Sequence, residues 1–130
     1  MIFVSGFITL LWTDNVARSE IESSEYQIEY LTNENYDQRV SQQGVAVVEF
    51  WASWNRESEY PLESLTGARL YRVDIEQEWE LAYDMEIESL PTIFIYKNGE
   101  LRHVDESDIS FKRKNDIGHI QDEIDYLLYE

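Results

Sequence analysis

The chain contains no cysteine. This single absence removes disulfides, thiolate nucleophiles and cysteine-bound zinc together. Histidine is nearly missing as well. His103 and His119 are the only two, they lie far apart, and they have no ligand spacing, so neither a metal nor a cofactor is expected. Basic residues are scarce, ten against 27 acidic ones, for a net charge of −17. A field of that sign repels nucleic acid and anionic lipid headgroups and favours basic partners, so no nucleic-acid partner is expected. The acidic residues do not follow the D-x-[DN]-x-[DN]-G calcium-loop pattern. The densest run, Glu76, Glu78, Glu80, Asp84, Glu86 and Glu88, has the spacing of an exposed helix face. There is no G-x-S-x-G elbow and no phosphate-binding glycine loop, and Ser58 has no nearby histidine to activate it. No N-x-[ST] sequon supports a secretory route.

What the chain does have is apolar material. With 130 residues, 43% of them hydrophobic, it fits one domain with a real core and does not read as disordered. Nine tyrosines exceed what packing needs, and some are expected at the surface, where tyrosine serves interfaces well. The segment from Met1 to Trp12 is largely apolar but shorter than the roughly 20 residues that cross a bilayer, so no transmembrane span is expected. Two readings of it compete. It has the length of a signal-peptide core, with Asn15-Val16-Ala17 before a cleavage point, but it has no basic lead-in. The favoured reading is an extension that packs on the domain or on a partner. Cytoplasmic placement is the default, and a secretory or organellar one follows if residues 1–17 are a targeting segment. Arg18 to Glu25 is polar and acidic, so the boundary is drawn at residue 24: extension and linker over 1–23, domain over 24–130.

Periodicity orders the remainder. Tyr26 to Tyr30 alternates as a first strand. Thr32 is an N-cap candidate for a helix carrying Tyr36 and Val40 on one face, ended by Gly44. Val45 to Trp51 is apolar except for Glu49, as a central buried strand should be. Ser58 to Leu65 predicts a short helix, with Pro61 in its first turn. Arg69 to Ile75 is a strand, and Glu76 to Met85 a helix with Trp79, Ala82 and Met85 spaced for one face and Leu81 beside them. Thr92 to Tyr96 and Leu101 to Val104 flank Asn98-Gly99, the strongest short hairpin signal. Asp116 to Tyr129 is an amphipathic helix presenting Ile117, Ile120, Ile124, Leu127 and Leu128. The order βαβαβαββα specifies an α/β fold: a mixed sheet with helices on both faces.

Several local motifs fall in step with that order. Tyr30-Leu31-Thr32 followed by Tyr36-Asp37 is similar to the L-T-x-x-x-F-D entry of thioredoxin-like proteins. Glu49-Phe50-Trp51-Ala52 is similar to their D-F-W-A, Trp51-Ala52-Ser53-Trp54 to their W-A-x-W, Leu90-Pro91-Thr92 to their I-P-T, and Lys97-Asn98-Gly99-Glu100 to their K-N-G-E. Each is weak alone, but together they span nearly all of residues 24–130. The chain resembles a cysteine-free member of the thioredoxin-like superfamily.

That resemblance implies a thioredoxin fold and places Asn55 and Ser58 where the family's C-x-x-C cysteines stand, with Arg56 and Glu57 between them. Pro91 is implied to be cis and to face this loop, leaving the preceding backbone open to a bound peptide strand. Glu49 takes the buried-acid position, and it is expected either to pair with a base or to stay protonated. The stretch from Ser58 to Asp74 is shorter than the family pattern by about two helical turns, so the second helix is cut down. The glycine usual after the last strand is replaced by Asp105-Glu106.

Three functions compete. The leading expectation is a redox-inactive protein-binding or adaptor domain whose contacts come from Trp54, Asn55, Arg56, Leu90, Pro91 and Thr92, with no catalytic residue and no dithiol–disulfide activity. The second is a structural subunit of a larger assembly, docked through Met1 to Trp12, the tyrosines and Lys112-Arg113-Lys114. The third is a non-redox enzyme using Ser58 to bind glutathione, as some transferases of this fold do with a serine near the loop. The partner is expected to be protein, and its identity is not written in the sequence.

Overall fold

The structure, a computed structural model, describes residues 27–54, 61–106 and 117–130. The expected extension and linker, the loop residues Asn55, Arg56, Glu57 and Ser58, and Lys112-Arg113-Lys114 lie outside the described residues.

Five strands form one sheet: β1 (Glu29–Tyr30), β2 (Val45–Trp51), β3 (Arg69–Asp74), β4 (Thr92–Lys97) and β5 (Glu100–Glu106). Their order across the sheet is β1-β3-β2-β4-β5. β1 and β2 pair with β3 in parallel, whereas β4 pairs antiparallel with β2 and with β5. All seven residues of β2 are buried, as expected of a strand with neighbours on both edges and helices on both faces.

The helices are α1 (Tyr36–Val40), α2 (Trp79–Asp84) and α3 (Gly118–Leu128), with a 3₁₀ turn at Leu62–Ser64. α1 and α2 are too short to persist alone, so their packed faces hold them. On one face of the sheet, Ile117, Ile120, Ile124 and Leu127 pack with Leu62 and Leu65 over Val45, Val47, Leu70, Ile93 and Ile95. On the other face, Tyr36, Val40 and Leu81 cover Ala46, Val48, Phe50, Tyr71, Val73, Phe94 and Tyr96. The alternation along β2 therefore feeds two cores, odd residues to one and even residues to the other. Aromatic rings run through the second core: Phe50 meets Phe94 edge-on at 5.0 Å between centroids, and Tyr36 meets Tyr96 at 6.3 Å.

The Tyr36 and Tyr96 hydroxyls share a buried 2.7 Å hydrogen bond. Burial raises both phenol pKa values. Tyr36 is pushed further by the charge of Tyr96, while the hydrogen bond partly offsets the rise at Tyr96.

The β4–β5 hairpin turns where Asn98-Gly99 predicts, with positive φ at both residues (52° and 86°), the signature of a type I′ turn. Asn98 also anchors the turn to the loop before β2. Its amide donates to the Gly44 carbonyl and its Oδ1 accepts from the Gly44 amide at 2.8 Å. A Cβ at Gly99 would sit 3.1 Å from the Ser41 carbonyl oxygen, so glycine is required for conformation and for space.

Several expectations change. The first strand is confined to Glu29–Tyr30, the described part of the helix expected over Ser58 to Leu65 is a 3₁₀ turn at Leu62–Ser64, and the helix expected over Glu76 to Met85 is confined to Trp79–Asp84. The helix expected to start after Thr32 starts at Tyr36 with Asn35 as its cap residue, because a turn at residues 33–35 comes first. Thr32 Oγ1 accepts the Glu34 amide, and Asn35 Oδ1 accepts the Thr32 amide. Gly44 does not end that helix: Ser41 does, and Gly44 (φ 94°) turns the chain into β2. Trp79 is 65% exposed, not on the core face; α2 is only six residues long, and Leu81 and Ala82 supply its buried contacts. Leu128 is half-exposed, since Leu127 takes the core position on α3.

Candidate functional site

The end of the sheet where β2 finishes and β4 begins carries the residues singled out in the sequence. Phe50 pairs with Thr92 across β2 and β4, and the Trp51 carbonyl accepts the Ile75 amide at 2.9 Å beyond the end of β3. The chain leaving β2 therefore emerges beside the chain entering β4. Ala52 is buried, Ser53 Oγ donates to Glu76 Oε1, and Trp54 then stands 67% exposed. Its neighbour in sequence type behaves oppositely: Trp51 is buried, with Tyr30 edge-on to its ring at 6.1 Å. Its indole Nε1 makes no hydrogen bond among the described residues.

On the β4 side, the Leu90–Pro91 peptide is cis. Pro91 is buried, and Leu90 is half-buried against the Phe50–Phe94 core. The Thr92 side chain is buried, and its hydroxyl donates to the Ser89 carbonyl at 2.6 Å. Thr92 thus fixes the turn at Ser89 and presents no side chain outward. The Leu90 backbone makes no hydrogen bond among the described residues. An unpaired N–H and C=O at a strand entrance form a ready site for another extended chain. Glu76, Glu88 and Glu106 flank this end: Glu76 is bound to Ser53, Glu88 lies two residues before Leu90, and Glu106 pairs with Thr92 across β4–β5.

Glu49 lies one layer below. It is fully buried on the α3 side of β2, in direct register with Arg72 of β3. The Arg72 Nε donates to Glu49 Oε1 at 2.7 Å, and Arg72 itself is buried. Of the two expectations for Glu49, pairing with a base is the one realised. Sequence reading missed Arg72. Its signal was a charged residue in the middle of an alternating strand, and only the register of β2 on β3 turns that into a partner.

Of the expected contact residues, the fold brings Trp54, Leu90, Pro91 and Thr92 to one end of the sheet, with Trp54 and Leu90 accessible. Asn55, Arg56, Glu57 and Ser58 follow Trp54 directly but are outside the described residues. Among the described residues no cluster of His, Asp and Glu could hold a metal ion, and no helix is long and apolar enough to cross a membrane.

Comparison with known proteins agrees with this architecture. The thioredoxin family model matches residues 27–122. A thioredoxin of Staphylococcus haemolyticus is 30% identical over 100 residues, covering 71% of this chain and 92% of that protein. Protein disulfide isomerase-like 1-3 of Arabidopsis thaliana is 33% identical over 86 residues, covering 60% of this chain but 15% of that protein. Among solved structures, thioredoxin from Trypanosoma brucei brucei superposes with a TM-score of 0.64 at 14% identity, covering 82% of this chain and 95% of that one. At that identity the likeness concerns the fold alone. The five-stranded mixed sheet is a thioredoxin fold, and the chain belongs to the thioredoxin family as a member without a cysteine.

Proposed function

We propose that the chain is a redox-inactive protein-binding domain that holds an extended segment of a partner along the Trp54–Leu90 edge. The observation that carries this reading is the Leu90 backbone, which makes no hydrogen bond among the described residues, at the same sheet end as a two-thirds-exposed Trp54. A partner segment would take its backbone hydrogen bonds from Leu90 and its apolar anchor from Trp54, the division of labour seen when a strand is added to a sheet edge. Pro91 shapes this edge, and Thr92 holds the turn behind it.

Thiol exchange requires a thiolate to attack a disulfide, and neither Asn55 nor Ser58 can supply one. Glu49 supports the same reading. Its carboxylate accepts from the buried Arg72 guanidinium at 2.7 Å within the core.

The test uses the full chain as bait in its native extract, beside Trp54→Ala, with insulin reduction measured in parallel. Partners identified by mass spectrometry are expected to be lost from Trp54→Ala with folding preserved, and insulin reduction to stay at background. Unchanged partner recovery, or reduction above background, contradicts the proposal.

A further inference from the structure

The outer face of α2 does not belong to the Trp54–Leu90 edge, and its composition points to a different contact. Trp79 and Tyr83 stand four residues apart, on one side of the helix, and are 65% and 79% exposed. Two adjoining open hollows, of about 510 and 320 Å³, share Tyr83 and Asp84 in their walls. Glu86 and Glu88 line the larger, Trp79 and Glu80 the smaller, and among the described residues neither is lined by a base. Two large aromatic faces and four carboxylates therefore meet in one concave surface.

Local energetics make this placement costly unless something offsets it. A helix C-terminus carries partial negative charge and favours cations, yet the last turn of α2 contains Asp84 and no base. Glu86 follows in the left-handed conformation (φ 59°), a position that glycine or asparagine ordinarily takes. The anion density at this helix end, beside two exposed rings, is complementary to a planar cation. Guanidinium can stack on an indole or phenol face while donating to carboxylates and to terminal carbonyls.

We propose that the outer face of α2 docks an arginine-bearing segment of a partner protein, with guanidinium groups stacked on Trp79 and Tyr83 and paired with Asp84 and Glu86.

The test is fluorescence anisotropy of the full chain with a labelled eight-residue Arg-Ser alternating peptide at 150 mM salt. A citrulline version of the peptide keeps the shape and removes the charge. Trp79→Ala/Tyr83→Ala leaves the protein's charge unchanged and is expected to weaken binding by about five- to thirtyfold, from two exposed cation–π contacts. Asp84→Asn/Glu86→Gln is expected to weaken it as well. Asp122→Asn/Glu123→Gln, which removes two charges from α3, and Trp54→Ala are expected to leave it unchanged. Equal affinity in the aromatic double variant, or equal affinity for the citrulline peptide, overturns the proposal. So does a loss in the α3 variant matching that of Asp84→Asn/Glu86→Gln, which reduces the effect to bulk charge. Loss in Trp54→Ala overturns it too, by moving the contact to the other edge.

Discussion

Replacing Arg72 by methionine removes the guanidinium from Glu49 while keeping most of the side-chain volume. Two ion pairs in this molecule bracket the expected cost. Arg39 and Glu29 meet at 3.1 Å with side chains 31% and 45% exposed, so water screens the pair and its loss should cost at most about 1 kcal/mol. Arg72 and Glu49 meet at 2.7 Å with side chains 7% and 0% exposed. Removing one member of a buried pair costs about 3–5 kcal/mol. That is a large share of the roughly 5–15 kcal/mol that holds a domain together. For a chain of this size it lowers Tm by about 10–20 °C. Glu49→Leu/Arg72→Met removes both charges and should recover most of the loss, since a buried pair replaced by apolar groups is often neutral or stabilising. Urea unfolding followed by circular dichroism, with thermal melts alongside, measures the parent chain, Arg72→Met, Glu49→Leu, Glu49→Leu/Arg72→Met and Arg39→Met. The reasoning is refuted if Arg72→Met costs no more than Arg39→Met, or if the double variant is no more stable than the weaker single one.

Other outcomes follow from the same geometry. Tyr36 and Tyr96 have phenol pKa values raised by burial, so an unfolded chain releases their protons near pH 10 while the folded chain keeps them. Their stabilisation is complete below pH 10 and falls as pH rises above it, by about 1.4 kcal/mol per pH unit for each tyrosine that stays protonated. Ultraviolet titration should show these two of the nine tyrosines ionising only with unfolding, and ionisation of all nine in the folded state would contradict this. Gly99→Ala should cost about 1–2 kcal/mol from its positive φ alone, with the Ser41 carbonyl adding to it, as read by urea midpoints. Glu130 is held below the usual carboxylate range by its hydrogen bond with Arg102, so this link is present above the unfolded carboxylate pKa and lost as pH falls through the folded one. Protection factors of the amides at the end of α3, corrected for the intrinsic pH dependence of exchange, should therefore fall in acid, and Arg102→Ala should remove that acid dependence.

The continuous apolar run of β2, the Asn98-Gly99 turn and the apolar face of the last helix were legible because each is a local pattern with one structural solution. Trp79 was not. A helix of six residues has room for only one or two core contacts, and Leu81 and Ala82 take them, so an i, i+3 pattern over-assigned the ring to the interior. Leu128 failed similarly beside Leu127. Thr32 was the expected cap, but the turn at residues 33–35 moves the cap position to Asn35. The candidate site was partly legible. Trp54, Leu90 and Pro91 come from local motifs, whereas the partner of Glu49 depends on the register of two strands separated by 23 residues in the Glu49–Arg72 pairing. That the Leu90 backbone has no hydrogen-bond partner among the described residues is likewise a property of the assembled edge.

The account rests most on that edge, and amide-resolved NMR tests it directly. An extended peptide selected from a random library against the full chain is titrated into isotopically labelled protein, and exchange of the Leu90 amide is followed with the Trp54 indole signal. Slowed exchange at Leu90 together with a shifted Trp54 indole is the predicted result. A peptide that binds while leaving both unchanged would contradict the account.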